Sequence, residues 1–153
     1  MSRRIAAIIV LSATSCGMPH DPEGTNERIA ATHELRVGVT DNAPWADGSE
    51  AEPGGIEPDL VREYAARNGA HVLWSHGSET PLMDALKHHE LDLVIGGFDK
   101  KTHWSTAAGI TQPFANDAEG KKHVFLAAPG ENGFILSLDR FLTERMRSAK
   151  AHS

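Results

Sequence analysis

Apolar and polar positions alternate along Leu35-Arg-Val-Gly-Val-Thr40, with Leu35, Val37 and Val39 on one side of the pleat, which predicts a strand. A helical period follows. Leu60, Val61, Tyr64 and Ala65 recur on one face, Glu57-Pro58-Asp59 suits a helix N-terminus, and Asn68-Gly69 ends the run. His71-Val-Leu-Trp-Ser75 reads as a second strand, and Thr80-Pro81 opens a helix whose apolar face is Leu82, Met83 and Leu86. That helix leads into Glu90 to Phe98, where Leu91, Leu93, Val94 and Ile95 form a short apolar run closed by Gly96-Gly97. Such a run predicts a strand buried on both faces, as in a parallel sheet flanked by helices. The whole segment is then a βαβαβ unit with three parallel strands, and its carboxyl-end loops, 41–47, 75–79 and 96–104, converge on one edge.

The C-terminal section supplies two more elements. His123-Val-Phe-Leu-Ala-Ala128 predicts a strand, Pro129-Gly130-Glu131-Asn132 a turn, and Phe134, Leu138, Phe141, Leu142 and Met146 one face of a terminal helix. The expected fold class is α/β, a βαβαβ parallel sheet completed by a C-terminal strand and helix.

Length changes the picture only by bounding it: 153 residues suit one domain with a modest core. With 40% hydrophobic and 24% charged residues the chain is globular rather than disordered. Its net charge of -6, with Lys and Arg scattered along the sequence, argues against a nucleic-acid partner.

Residues 1–15 read as an export signal, with Arg3 and Arg4 as a basic start, Ile5 to Leu11 as an apolar stretch, and Ala13-Thr14-Ser15 as small residues before the single cysteine, Cys16. The apolar stretch is too short to span a bilayer. This arrangement resembles the lipobox of bacterial lipoproteins, which implies lipidation of Cys16 and a membrane anchor; ordinary signal-peptidase cleavage is the alternative that Ala13 leaves open. A lone cysteine provides no disulfide framework. Residues 16–33 lack a period and read as a tether, so the expected folded lobe covers 34–150.

Leu35 to Thr40 with Pro44-Trp45, Gly55-Ile-Glu-Pro-Asp-Leu60, Leu86 to Gly97 and Thr111-Gln-Pro-Phe114 occur in the order of landmarks in bacterial extracellular solute-binding proteins of family 3. The chain resembles these receptors of polar amino acid ABC transporters over residues 35 to 114. The resemblance implies a periplasmic-binding-protein-like α/β lobe, a small-molecule solute, an importer permease as partner, a periplasmic or extracytoplasmic location, and no cofactor. In that family two lobes enclose the ligand, and a strand and helix return after the second lobe to complete the first. Here only 115–122 separates Phe114 from that strand, so the second lobe is expected to be missing.

By position in the family motifs, Asp41, Asn42, Trp45, Glu79, Gly96, Gly97 and Asp99 match ligand-contacting places. Physically they offer an aromatic wall, glycine backbone open to close approach, and carboxylates able to pair an ammonium group. Each also has an ordinary role: Trp45 as a cap on the core, Asp41 and Asn42 as turn formers, Gly96-Gly97 as a tight turn. Trp104 stands where amino-acid-binding members carry an arginine for the ligand carboxylate, and Lys100 and Lys101 supply only point charges nearby. The set therefore favours a cationic or weakly charged ligand.

His88-His89 read as a solvated helix face rather than metal ligands, since neighbours on a helix point about 100° apart. Glu57 and Asp59 read as partners of a helix dipole rather than as an acid/base pair, so no enzyme is expected. Three roles stay open: a one-lobe receptor of an importer, a sensing or partner-docking module, and a remnant without ligand.

Overall fold

Strand and helix alternate as the hydrophobic pattern requires, in a computed structural model that describes residues 21–151. In chain order the elements are α1 (Thr25–Thr32), β1 (Glu34–Val39), α2 (Ile56–Arg67), β2 (His71–His76), α3 (Glu79–Lys87), β3 (Leu93–Ile95), one helical turn at His103–Thr106, β4 (Gly109–Ile110), β5 (Ala115–Asn116), β6 (Lys122–His123), β7 (Leu126–Ala127) and α4 (Asn132–Ala151). The main sheet has the order β2-β1-β3-β7-β4. β1 runs parallel to β2 and β3, which is the expected βαβαβ unit, while β7 lies antiparallel to β3 and β4. The export signal and Cys16 lie outside the described residues. Among the described residues no helix is long and apolar enough to cross a membrane.

The two sheet faces carry separate cores. Leu35, Val37, Val39, Leu93 and Ile95 point toward Val61 and Tyr64 of α2 and Phe134, Leu138 and Phe141 of α4. Val94 and Leu126 point the other way, against Leu82, Met83 and Leu86 of α3. Gly38 faces this second core, where an added Cβ would come within 2.9 Å of the Leu91 side chain and 3.1 Å of Leu82. Its missing side chain lets α3 close on β1. Buried Asp92 pins the start of β3 to the rest by ion pairs with Arg36 at 2.7 Å and Arg28 at 2.5 Å.

The expected tether over 16–33 is corrected within its described part, because 25–32 is α1 and belongs to the folded body. The period is weak since Ile29 is the one large buried apolar residue of this helix, and polar links hold it instead. Glu131, fully buried just before α4, accepts the N–H groups of Glu23 and Thr25 at 2.9 Å each and so caps α1. Asp21, just before α1, accepts the Phe134 N–H at 2.8 Å and so caps α4. The two helix N-termini are capped reciprocally, each by the residue leading into the other.

The expected single strand over 123–128 is also corrected, since it divides between two pairings. Lys122–His123 pairs with Ala115–Asn116, and Leu126–Ala127 enters the main sheet. Between them Val124 N–H donates to Phe98 O at 3.0 Å and Phe125 N–H to Thr111 Oγ1 at 3.0 Å, so no backbone donor is lost at the switch. The octapeptide 115–122 thus closes as an antiparallel hairpin. His88 and His89 follow α3 rather than lying on it, and His89 takes φ +56°.

Candidate functional site

The parallel strands β1, β2 and β3 end on one edge, and the loops there hold most of the residues singled out from sequence. After β1, the loop folds on itself: Asn42 N–H donates to Ala46 O at 2.8 Å and Trp45 N–H to Asn42 O at 2.9 Å. The Asn42 side chain reaches the loop after β3, its Nδ2 donating to Gly96 O at 2.9 Å. Gly97 makes that approach possible, for it takes φ +69° and an added Cβ would stand 2.4 Å from Asn42 Nδ2 and 3.2 Å from Trp45 Cβ. Asn42, Trp45, Gly96 and Gly97 therefore form one assembled unit.

Beneath it lies Glu57, which sequence reading placed as a helix-dipole partner. Its side chain is fully buried, and Oε2 accepts both Gly96 N–H at 2.8 Å and Gly97 N–H at 2.9 Å. Its backbone N–H donates to Trp45 O at 2.9 Å. The glycine N–H groups thus turn inward to a carboxylate of the chain itself. Burial pushes the Glu57 carboxyl from 4.5 up to about 7, and the two glycine bonds oppose that rise without cancelling it. Among the described residues Oε1 has no hydrogen-bond partner. Asp59, by contrast, is exposed and pairs with Arg62 at 3.0 Å.

His123 is the residue that sequence reading missed. Its ring stacks on Trp45, centroids 3.5 Å apart and 19° from parallel, and Nε2 lies 3.1 Å from Asp117 Oδ2 in the hairpin. The ring is buried and, among the described residues, Nδ1 has no hydrogen-bond partner. No sequence signal marked it, because its neighbour Trp45 is far away in the chain. At Asp117, desolvation works against ionisation, and the Lys121 N–H together with His123 outweighs it, leaving the carboxyl below the usual Asp range.

Asp99 joins this group through an isolated antiparallel bridge to His123. Both of its oxygens accept backbone N–H groups, from Lys101 at 2.6 Å and Lys122 at 3.1 Å. The Lys101 bond is the main reason its carboxyl lies below the ordinary value. Asp41 sits at the rim, with Oδ1 accepting Gly48 N–H at 2.6 Å. Glu79 and Trp104 form a separate pair: Trp104 Nε1–H donates to Glu79 Oε2 at 2.9 Å, and the Lys87 ammonium lies 5.8 Å from the indole centroid. Among the described residues no hydrogen bond or ring contact ties this pair to Trp45, and none forms a cluster suited to a metal ion.

The locked unit with Asp41 and the separate Glu79–Trp104 pair each present a partly buried indole and a carboxylate that, among the described residues, keeps one oxygen without a hydrogen bond. Such a rim can hold a small polar molecule with positive charge through cation–π and charge-assisted contacts.

No protein-family model matches the chain. A probable histidine-binding protein of Campylobacter jejuni is 22% identical over 137 residues, 77% of this chain and 54% of the relative, so the chain spans about half the length of that relative. The arginine-bound form of domain 1 from TmArgBP superposes with TM-score 0.69 at 18% identity, covering 76% of this chain and 97% of that one. The ancestral cationic amino acid solute-binding protein AncCDT-1, also described as a precursor of cyclohexadienyl dehydratase, gives TM-score 0.72 at 12% identity, covering 83% and 96%. In architecture, this chain has the fold of a single domain of the amino-acid-binding periplasmic proteins.

Proposed function

We propose that this protein is a one-lobe extracytoplasmic receptor that binds a small polar solute, a cationic amino acid or related cation, at the carboxyl ends of its parallel strands. The observation that carries the reading is the assembly of Asn42, Trp45 and Gly97 into one locked unit, with Asp41 and Glu79 at the rim holding unpaired carboxylate oxygens. The solved arginine-bound state of an isolated domain of this fold supports binding by one lobe without a second. A single lobe buries less of its ligand than a closed cleft, so the expected affinity is in the micromolar range or weaker, about -8 kcal/mol or less favourable. In this reading Cys16 carries the lipid anchor and an ABC permease receives the solute.

Catalysis is not part of the proposal. The buried acid of the site, Glu57, is engaged by two backbone donors below the surface, and no turnover of prephenate-like acids is expected.

Calorimetric titration with arginine, histidine, glutamate and a polyamine tests the reading. Saturable binding of the cationic members is expected, weakened at least tenfold by Asp41→Asn, which is exposed and leaves the core intact. Preferential binding of glutamate would overturn the ligand class. Absence of binding by any of them would favour a partner-docking module or a remnant.

A further inference from the structure

Lysines that are dispersed in sequence converge in the folded chain. Of the six lysines, Lys100, Lys101, Lys121 and Lys122 all line one cavity of about 690 Å³, together with Asp99, Glu119 and Gly120. Two come from the loop after β3 and two from the β5–β6 hairpin. The two loops are cross-linked, because Lys100 N–H donates to Lys122 O at 2.8 Å and Asp99 accepts the N–H groups of Lys101 and Lys122.

Asp99 thus accepts two backbone N–H groups and also attracts the Lys101 ammonium. Lys87 on α3 has an ion pair with Asp84 at 3.4 Å, but among the described residues none of the four groove ammonium groups stands in one. Glu119 is the other acid in the lining, so the groove holds four positive charges against two negative ones, in a chain whose net charge is -6. Asp99 and Asp117 offset part of the charge of Lys101 and Lys121, and the repulsion left among the four lysines is relieved when an anion enters.

We propose that this groove is a second binding site, for a small oxyanion bearing two or more charges, of the phosphate or polycarboxylate class. It is distinct from the aromatic rim where the cationic solute is proposed to sit. Lysines act here as mobile point charges that can gather around a multiply charged ligand, and the cross-linked backbone lowers the ordering cost. Asp99 acts as a positioning residue that holds the two lysine pairs on one groove.

The test is a two-dimensional amide NMR titration of the full chain with inorganic pyrophosphate and, separately, citrate, each at constant ionic strength and against a chloride control. Saturating shifts centred on Lys100, Lys101 and Gly120 to Lys122 are expected. They should weaken at least tenfold in Lys121→Ala/Lys122→Ala and persist in Lys121→Arg/Lys122→Arg; both substituted side chains are exposed, and a thermal melt checks that each variant is folded. Stronger saturation by pyrophosphate would assign the phosphate source, and by citrate the carboxylate source. Shifts that stay linear with anion, spread over the surface, or survive the alanine pair unchanged would overturn the proposal. The solute titration with arginine is read separately, so its failure leaves this result standing.

Discussion

Glu57 concentrates the tension of the site in one side chain. Because the fold raises its carboxyl from 4.5 to about 7, the folded state holds a proton there that the unfolded state releases. Its contribution is fully present below pH 4.5 and is lost as pH rises to 7, a decline of about 3 kcal/mol. In Glu57→Gln that decline should vanish, since an amide oxygen still accepts the two glycine N–H groups without titrating. Chemical denaturation of both proteins between pH 4.5 and 8 measures the difference; parallel profiles would contradict the account. Asp99, Asp117 and Glu131 titrate below their usual values, so their stabilisation is lost only as pH falls further, outside this window. Gly97→Ala should cost about 1–3 kcal/mol, from the left-handed φ and the 2.4 Å approach of Asn42 Nδ2, as read from a denaturant midpoint. Sequence made Gly96-Gly97 visible as a place of close approach, yet what approaches from within is Glu57, which no local pattern could reveal.

At the scale of elements, the three parallel strands and the helices between them were legible because each carries its own period and its own stop. The short run Leu91 to Ile95 was legible as doubly buried, and β3 is buried at all three positions. α1 was not legible, because Ile29 alone gives no period and the carboxylate that caps it, Glu131, stands 106 residues after Thr25. Glu131→Ala leaves the N–H groups of Glu23 and Thr25 unpaired, one of them buried, and should destabilise by about 1–3 kcal/mol with α1 losing amide-exchange protection first. Equal exchange in α1 and in β3 after the substitution would contradict that order. The terminal run reads as one strand since Val124 to Ala128 are all apolar; that pattern does not disclose that the hydrogen bonds change partner at Val124 and Phe125.

Over the whole molecule, the parallel edge gathers opposite charges in different places. Asp41 and Glu79 border the aromatic rim, and four lysines border the hairpin that closes 115–122. The sequence suggested scattered cations because the two lysine pairs stand twenty residues apart. In the proposed function one lobe suffices to bind a small cationic solute at the strand ends. Amide NMR mapping with arginine tests it most directly. Saturating shifts confined to Asp41 to Ala46, Glu79, Gly96 to Phe98 and Trp104 are predicted; shifts centred on the helical face formed by α2 and α4, or no saturable shifts with any cationic amino acid, would contradict it.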